Sequence, residues 1–216
     1  MGRELDLLAK YPRGKRDPAA RAREKTPEDV AIARKFGREF FDGERRHGYG
    51  GYSASPERWR GVVKDLIDVY YPFTSVLDVG CGKGGMLQAL KEEVSELTLA
   101  GCDVSEYAIN ECPHDLDLAV LDVRDLHKRY ADKSFSLVVS INTIHNLDRE
   151  GCIKALQEIE RAGRRAYVTV DTYRNEEERQ RMFDWNLTAL TILHVDEWKA
   201  LFEEAGYTGD HGWWTP

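Results

Sequence analysis

The chain has 216 residues, of which 42% are hydrophobic and 32% are charged, and its net charge is −7. This length suits one domain with a sizeable core. The absence of any run of about 18 apolar residues predicts no membrane contact. The acidic balance argues against nucleic-acid binding by phosphate neutralisation. The first ten residues lack the hydrophobic core of a signal peptide, so a cytoplasmic protein is predicted.

Charge is unevenly spread along the chain. The first 50 residues carry 13 Lys and Arg against 9 Asp and Glu, so this part is basic. Residues 1–25 are polar and contain Pro12 and Pro18, which predicts a flexible basic arm. The alternative is an arm that folds over an anionic substrate. The four cysteines form no Cys-x-x-Cys pair, so reduced thiols are predicted.

Two helix starts follow the arm. Thr, Pro and Glu at 26–28 supply a cap, a first-position proline and an acid, and the helix is expected to run to about Asp42. The loop over 43–55, GERRHGYGGYSAS, is rich in Gly, Arg and Tyr. Residues 26–55 are therefore predicted to form an N-terminal helix and a lid loop. A second Ser-Pro-Glu start at 55–57 opens the main domain, predicted over 56–216.

Strands and helices alternate after Pro72. Buried strands are predicted over 75–79, 97–102, 118–121, 135–141 and 166–170. The intervening helices are predicted over 84–92, 105–111, 148–161, from 175 onward and over 196–205. This alternation predicts an α/β fold, a doubly wound, Rossmann-like and mostly parallel sheet with a helical N-terminal cover.

A glycine-rich loop follows the first strand and opens a helix. In residues 76–85, VLDVGCGKGG, the glycines at 80, 82 and 84 let the backbone approach a ligand closely. Gly80, Gly82 and Gly85 also fit G-x-G-x-x-G, with Asp103 18 residues later, as in dinucleotide sites. Asp78, two residues before Gly80, disfavours a nearby pyrophosphate and favours a cation.

Two more acids stand at neighbouring strand ends. Asp103 ends the second strand and Asp122 the third, so both are expected beside Asp78 in the crevice outside the sheet. A ligand with an ammonium, a sulfonium, a ribose diol and an exocyclic amine fits three acids placed in this way. S-adenosylmethionine has all four groups.

On these motifs the sequence resembles the class I S-adenosylmethionine-dependent methyltransferases over about residues 56–214. Segments FDGERRHGYGGY, SINTIHNL, YRNEEE and EEAGYTGD are similar to a bacterial group acting on small molecules. The resemblance implies that Asp103 bonds the ribose hydroxyls, that Asp122 bonds the adenine amine, and that the Val123 backbone bonds the adenine ring. The full cofactor set it implies is Asp78, Gly80, Cys81, Gly82, Gly84, Asp103, Val104, Asp122, Val123 and Ser140.

The acceptor is expected beyond the fourth strand, in residues 140–147. His145 is the candidate base because its ordinary pKa is near 6.5, and a purely structural histidine is the alternative. Substrate contacts are expected from Arg46, Tyr49 and Tyr52 of the lid, from Asn142 and from Tyr173. Some relatives use acids after strands four and five to bind a metal. This chain has Asn142 after strand four, so no metal is expected.

The sequence therefore predicts an enzyme that methylates an oxygen of a small polar molecule, a sugar or a related metabolite. N-methylation of a small amine is the close alternative. A nicotinamide-dependent oxidoreductase and a catalytically silent binding module are the alternatives from other classes. Trp213 and Trp214 are expected to contribute to the core on one face and to a homodimer contact on the other.

Overall fold

The computed structural model describes residues 2–14 and 17–215, so residues 1, 15 and 16 of the predicted arm lie outside the described residues. The helices of the described part are α1 (Pro18–Glu24), α2 (Pro27–Ala33), α3 (Arg38–Phe41), α4 (Arg60–Tyr70), α5 (Gly85–Glu93), α6 (Glu106–Asn110), α7 (Arg149–Ala162), α8 (Glu176–Trp185) and α9 (Val195–Ala205). Within these residues, no helix is long and apolar enough to cross a membrane.

The strands form one sheet in which every pairing of named strands is parallel. They are β1 (Ser75–Val79), β2 (Thr98–Asp103), β3 (Asp117–Val120), β4 (Leu137–Ile141), β5 (Ala166–Tyr173), β6 (Leu193–His194) and β7 (Asp210–Trp214). The order is β3-β2-β1-β4-β5-β6, and β7 pairs with β5. β6 pairs with the last two residues of β5 and β7 with the five at 167–171. The predicted doubly wound fold is confirmed.

The central strands are buried on both faces because helices cover both sides of the sheet. In β4, Val138 packs into one hydrophobic cluster with α7 and α9, whereas Val139 packs into the other with α4 and α5. This explains why residues 137–139 form an uninterrupted apolar run. The parallel arrangement brings the carboxyl ends of the strands to one edge, where the loops meet.

The helix expected over 26–42 is interrupted. Thr26 and Asp29 form a capping box that starts α2, as the sequence predicted. The chain then turns at Phe36, whose φ of 49° is left-handed, and resumes as α3 after Gly37. The Phe36 carbonyl accepts a hydrogen bond from Ser105 Oγ at 2.5 Å. The break in the helix therefore coincides with a hydrogen bond from a residue 69 positions further along the chain.

The basic arm also differs from the expectation of a flexible segment. Leu7 and Leu8 are buried in the cluster on the α4 and α5 side of the sheet. Leu5 N donates to the His211 carbonyl at 2.8 Å, and His211 N donates to the Arg3 carbonyl at 3.0 Å. The arm thus lies parallel to β7, because its apolar residues gain more from burial than from solvent exposure.

Candidate active site

A cavity of about 530 Å³ lies at the carboxyl edge of the sheet. Its floor contains Asp78 at the end of β1, Asp103 at the end of β2 and Asp171 near the end of β5. The turn after α2, α3 and the predicted lid loop form much of its roof. Most of the predicted cofactor residues and part of the predicted lid loop therefore face the same space.

The glycine loop turns sharply from β1 into α5. Gly80, Gly82 and Gly84 have φ values of 81°, 54° and 77°, a backbone conformation that favours glycine. A Cβ on Gly80 would lie 2.0 Å from the Thr143 hydroxyl, so no larger residue fits there. Gly80, Cys81 and Gly82 line the cavity, whereas Gly84 caps α5 and packs toward Leu116 and Cys112.

Asp78 is a buried carboxylate that faces the cavity, and no hydrogen bond to it is made within residues 2–14 and 17–215. Burial, with a further contribution from Asp103, raises the pKa of Asp78 to about 8. Asp103 accepts hydrogen bonds from Gly82 N at 2.9 Å and Ser105 N at 2.8 Å, yet burial still raises its pKa. Two adjacent acids whose ionisation is made costly by burial fit a cationic ligand.

An aromatic cluster of the lid covers the glycine loop. A Cβ on Gly82 would lie 3.1 Å from the Tyr52 hydroxyl, so the Tyr52 side chain sits directly over the loop. The ring of Tyr49 lies 4.8 Å from that of Tyr52, and both line the cavity. The predicted lid loop therefore covers part of the glycine loop in this structure.

Asp42, just after α3, ties the lid to the glycine loop. Its carboxylate accepts hydrogen bonds from Lys83 Nζ at 2.5 Å, from the Tyr107 hydroxyl at 2.7 Å and from Tyr52 N at 3.0 Å. Partial burial acts to raise the pKa of Asp42, but these donors outweigh it and lower the pKa to about 2. The carboxylate is thus ionised and bonded at every physiological pH.

Asp122 has a cationic partner within the chain. Arg124 Nε and Nη2 donate to its two oxygens at 2.9 and 2.6 Å, and these hydrogen bonds lower the pKa of Asp122. Asp122, Val104 and Val123 all line the cavity, at the end nearest β2 and β3. The three predicted acids therefore share one cavity, and Asp122 has its charge balanced by Arg124.

His145 and Asp171 form a pair on the opposite side of the cavity. His145 Nδ1 accepts a hydrogen bond from Asp171 N at 3.1 Å, and His145 Nε2 lies 3.4 Å from Asp171 Oδ2. Burial lowers the pKa of His145, although Asp171 opposes this effect. The ring is thus neutral, with its proton on Nε2 facing the carboxylate. Asn186 Nδ2 also donates to Asp171 Oδ2, at 2.5 Å.

The remaining predicted residues separate into two groups. Asn142 lines the cavity and accepts a hydrogen bond from the Thr169 hydroxyl at 2.9 Å. Ser140, Arg46 and Tyr173 are not among the lining residues. Ser140 is fully buried beneath the site and Tyr173 packs against the His194 ring. Arg46 Nε donates to the buried Asp29 at 2.9 Å.

Several lining residues were not predicted from the sequence. They come from the arm, from the turn after α2 and from the end of α8, and are Leu8, Tyr11, Arg34, Lys35, Trp185 and Asn186. A signal existed for the arm, since apolar residues at 5, 7, 8 and 11 are unusual in a solvated segment. For α8 the only signal was an aromatic and an amide at its end, at 185 and 186.

Residues 76–166, from β1 to the start of β5, match the family model described as a methyltransferase domain. A comparison with curated proteins finds no match to this chain. Three solved structures are similar to it in fold.

A SAM-dependent methyltransferase from Archaeoglobus fulgidus has a TM-score of 0.58 at 22% identity, over 76% of this chain and 71% of that one. Phosphoethanolamine N-methyltransferase 2 of Haemonchus contortus was crystallised with S-adenosylhomocysteine. It has a TM-score of 0.57 at 18% identity, over 81% of this chain and 44% of that one. The plantazolicin methyltransferase BpumL was crystallised with a desmethylPZN analogue and S-adenosylhomocysteine. It has a TM-score of 0.51 at 16% identity, over 82% of this chain and 75% of that one.

Proposed function

We propose that this chain, which is a class I S-adenosylmethionine-dependent methyltransferase, methylates an oxygen of a small polar molecule, a sugar or a related metabolite. The observation that carries the proposal is a pair of neighbouring carboxylates, buried Asp78 and partly buried Asp103, in a cavity that the lid loop partly covers. A cation is the ligand that relieves their shared cost of ionisation.

The residues of the cavity fit the cofactor. Asp78 offers an unbonded carboxylate to its ammonium group, and Asp103 offers further acceptor sites to its ribose hydroxyls. The Gly80 and Gly82 backbone leaves room for close approach. Val104 and Val123 lie beside the end where Asp122 stands, and supply apolar contacts for the adenine. The bound cofactor supplies a methyl group activated by the sulfonium.

The acceptor hydroxyl is proposed to lie at the His145 and Asp171 pair. Because Nδ1 of His145 already accepts the Asp171 N–H, the ring has no free lone pair for a substrate proton. We propose that the proton moves to the Asp171 carboxylate, while His145 and Asn186 orient this carboxylate from the side. In this proposal His145 contributes to deprotonation by orienting the Asp171 carboxylate.

An amine acceptor is the second candidate, and Asp171 is the observation that favours it. A buried carboxylate beside the acceptor space would also bind an ammonium group. Paired acceptors that differ only in a hydroxyl or an amine at the same carbon distinguish the two. Tandem mass spectrometry of the products locates the methyl group on oxygen or nitrogen.

Calorimetric titration with S-adenosylhomocysteine, with NAD as the control ligand, tests the proposed function first. Binding of S-adenosylhomocysteine with no heat from NAD is the expected result. Binding of NAD alone would favour the oxidoreductase, and binding of neither ligand would favour a silent module.

Substitutions at the pair test the proposed deprotonation. Asp171→Asn is expected to lower kcat by about a hundredfold, within the range for loss of a general base, and to leave S-adenosylhomocysteine affinity unchanged. His145→Ala is expected to lower kcat and shift its pH profile. Full activity in His145→Ala would exclude any contribution of this histidine to catalysis.

A further inference from the structure

Three basic side chains line the mouth of the cavity. Arg34 and Lys35, which directly follow α2, and Arg45 in the lid loop are exposed lining residues. None of the three forms an ion pair with a carboxylate in residues 2–14 and 17–215, although the chain as a whole has an excess of acids. Positive charge without a paired acid is therefore concentrated on the exposed part of the cavity lining.

Two of these side chains are held in place by groups that do not cancel their charge. Arg45 Nη1 donates to the Gly48 and Tyr49 carbonyls, and its guanidinium carbon lies 5.2 Å from the Trp185 ring centroid. Arg34 Nη2 donates to the Ala189 carbonyl at 3.3 Å. The guanidinium groups keep donors available while their orientation is restricted, which lowers the entropy cost of binding an anion.

Their position points to the acceptor rather than the cofactor. Trp185 and Ala189 flank Asn186, whose amide nitrogen lies 2.5 Å from Asp171 Oδ2. The segment that holds Arg34 and Arg45 is thus the segment that orients the proposed proton acceptor. The cofactor side of the cavity, by contrast, contains Asp78 and Asp103, whose charges repel an anion.

We propose that the methyl acceptor carries a phosphate or carboxylate group, which Arg34 and Arg45 bind at the mouth of the cavity. This inference rests on the proposed function. It narrows the substrate class from a neutral polar metabolite to an anionic one, such as a phosphorylated sugar or a sugar acid. The same charges would draw such a substrate toward the opening of an otherwise acidic protein.

Binding of small anions to the protein saturated with S-adenosylhomocysteine tests this proposal without a known acceptor. Inorganic pyrophosphate and malonate serve as phosphate and carboxylate probes in calorimetry at low ionic strength. Arg34→Gln and Arg45→Gln are each expected to weaken the preferred probe about tenfold, the value of one charged hydrogen bond. Arg38→Gln is the matched control, because Arg38 is exposed on α3, pairs with Glu39 and does not line the cavity.

The outcomes separate this proposal from the proposed function. Preference for pyrophosphate assigns a phosphorylated acceptor, and preference for malonate assigns an acidic sugar or another carboxylate. Absence of probe binding, or an equal loss in Arg38→Gln, overturns the proposal. Weaker S-adenosylhomocysteine binding in Arg34→Gln or Arg45→Gln also overturns it, because the cations would then serve the cofactor carboxylate. If the wild-type protein binds no S-adenosylhomocysteine, the proposed function fails instead.

Discussion

Asp78 is held in an environment that disfavours its own charge. Its pKa rises from 3.8 to about 8, mainly through burial and further through Asp103. A raised pKa in the folded state means that the protonated carboxyl contributes stability that is complete below about pH 4. This contribution is lost progressively as the pH rises toward 8. The residue thus lowers the stability of the ligand-free protein at neutral pH and gives it a binding site for a cation.

Asp78→Asn is expected to raise the ligand-free Tm at pH 8 by several degrees, because the costly ionisation disappears. The difference from wild type is expected to vanish near pH 4. The same change is expected to weaken S-adenosylmethionine binding at least about tenfold, through loss of a charge-assisted hydrogen bond. Thermal melts across pH and calorimetry measure the two effects. Asp68→Asn, on the exposed face of α4, is the control. Parallel pH curves for wild type and Asp78→Asn would contradict this account.

Gly80 shows how little space the turn after β1 leaves. Gly80→Ala is expected to destabilise the fold by more than about 2 kcal/mol, because its Cβ meets Thr143 and its φ is 81°. Gly14→Ala makes the same chemical change where no atom lies within 4 Å, and is expected to be neutral. Urea denaturation compares the two. Equal stability of the two variants would mean that the turn relaxes freely.

At the scale of whole elements, the sequence pattern was sufficient to predict the bounds of a strand whose residues are nearly all buried. β1 was predicted over 75–79 and lies at Ser75–Val79, because its apolar run ends at a glycine. The helix over 26–42 was predicted without its break, because the break involves the Phe36 carbonyl and Ser105, which are distant in sequence. β6 has only two residues, too few for any periodicity. The arrangement of the cations at the mouth likewise depends on residues distant in sequence, since Arg34 bonds the Ala189 carbonyl and Arg45 contacts the Trp185 ring.

The ion pair between Asp42 and Lys83 joins the lid to the glycine loop, so its loss is expected to open the lid. Asp42→Asn is expected to lower the free energy of unfolding by about 1–3 kcal/mol at pH 7. It is also expected to speed backbone hydrogen exchange over residues 38–52. The pKa of Asp42 is lowered to about 2, so this stability is present above pH 3.8 and lost as the pH falls toward 2.

Hydrogen-exchange mass spectrometry resolves the effect of Asp42→Asn by segment. Asp125→Asn, which breaks the exposed pair with Lys128, is the control and is expected to leave the lid unchanged. Unchanged lid exchange in Asp42→Asn would assign the closure to the aromatic contacts of Tyr49 and Tyr52 instead.

At the scale of the whole molecule, one cavity wall combines segments from opposite ends of the described chain. Leu8 and Tyr11 line the cavity together with Trp214, and the Tyr11 and Trp214 rings lie 6.5 Å apart. Trp214 is buried against the arm, and Trp213 stacks on Phe202 at 6.0 Å. The arm therefore contributes to both stability and the site.

Leu8→Ala is expected to lower the free energy of unfolding by about 2–4 kcal/mol, because Leu8 is 2% exposed and packs in the hydrophobic cluster on the α4 and α5 side of the sheet. Leu190→Ala removes the same atoms from a side chain that is 55% exposed, and is expected to change the free energy of unfolding by less than about 0.5 kcal/mol. Chemical denaturation measures both. A neutral Leu8→Ala would mean that the arm is only loosely attached.

The pairing of residues 3–5 with His211 also has a consequence for biosynthesis. A ribosome releases the arm first and β7 about 200 residues later, at about 5–20 residues per second. For at least about ten seconds residues 3–5 have no β7 to pair with, and the cavity lacks the wall that Leu8 shares with Trp214. Cofactor binding that needs this wall is therefore expected only after β7 has emerged.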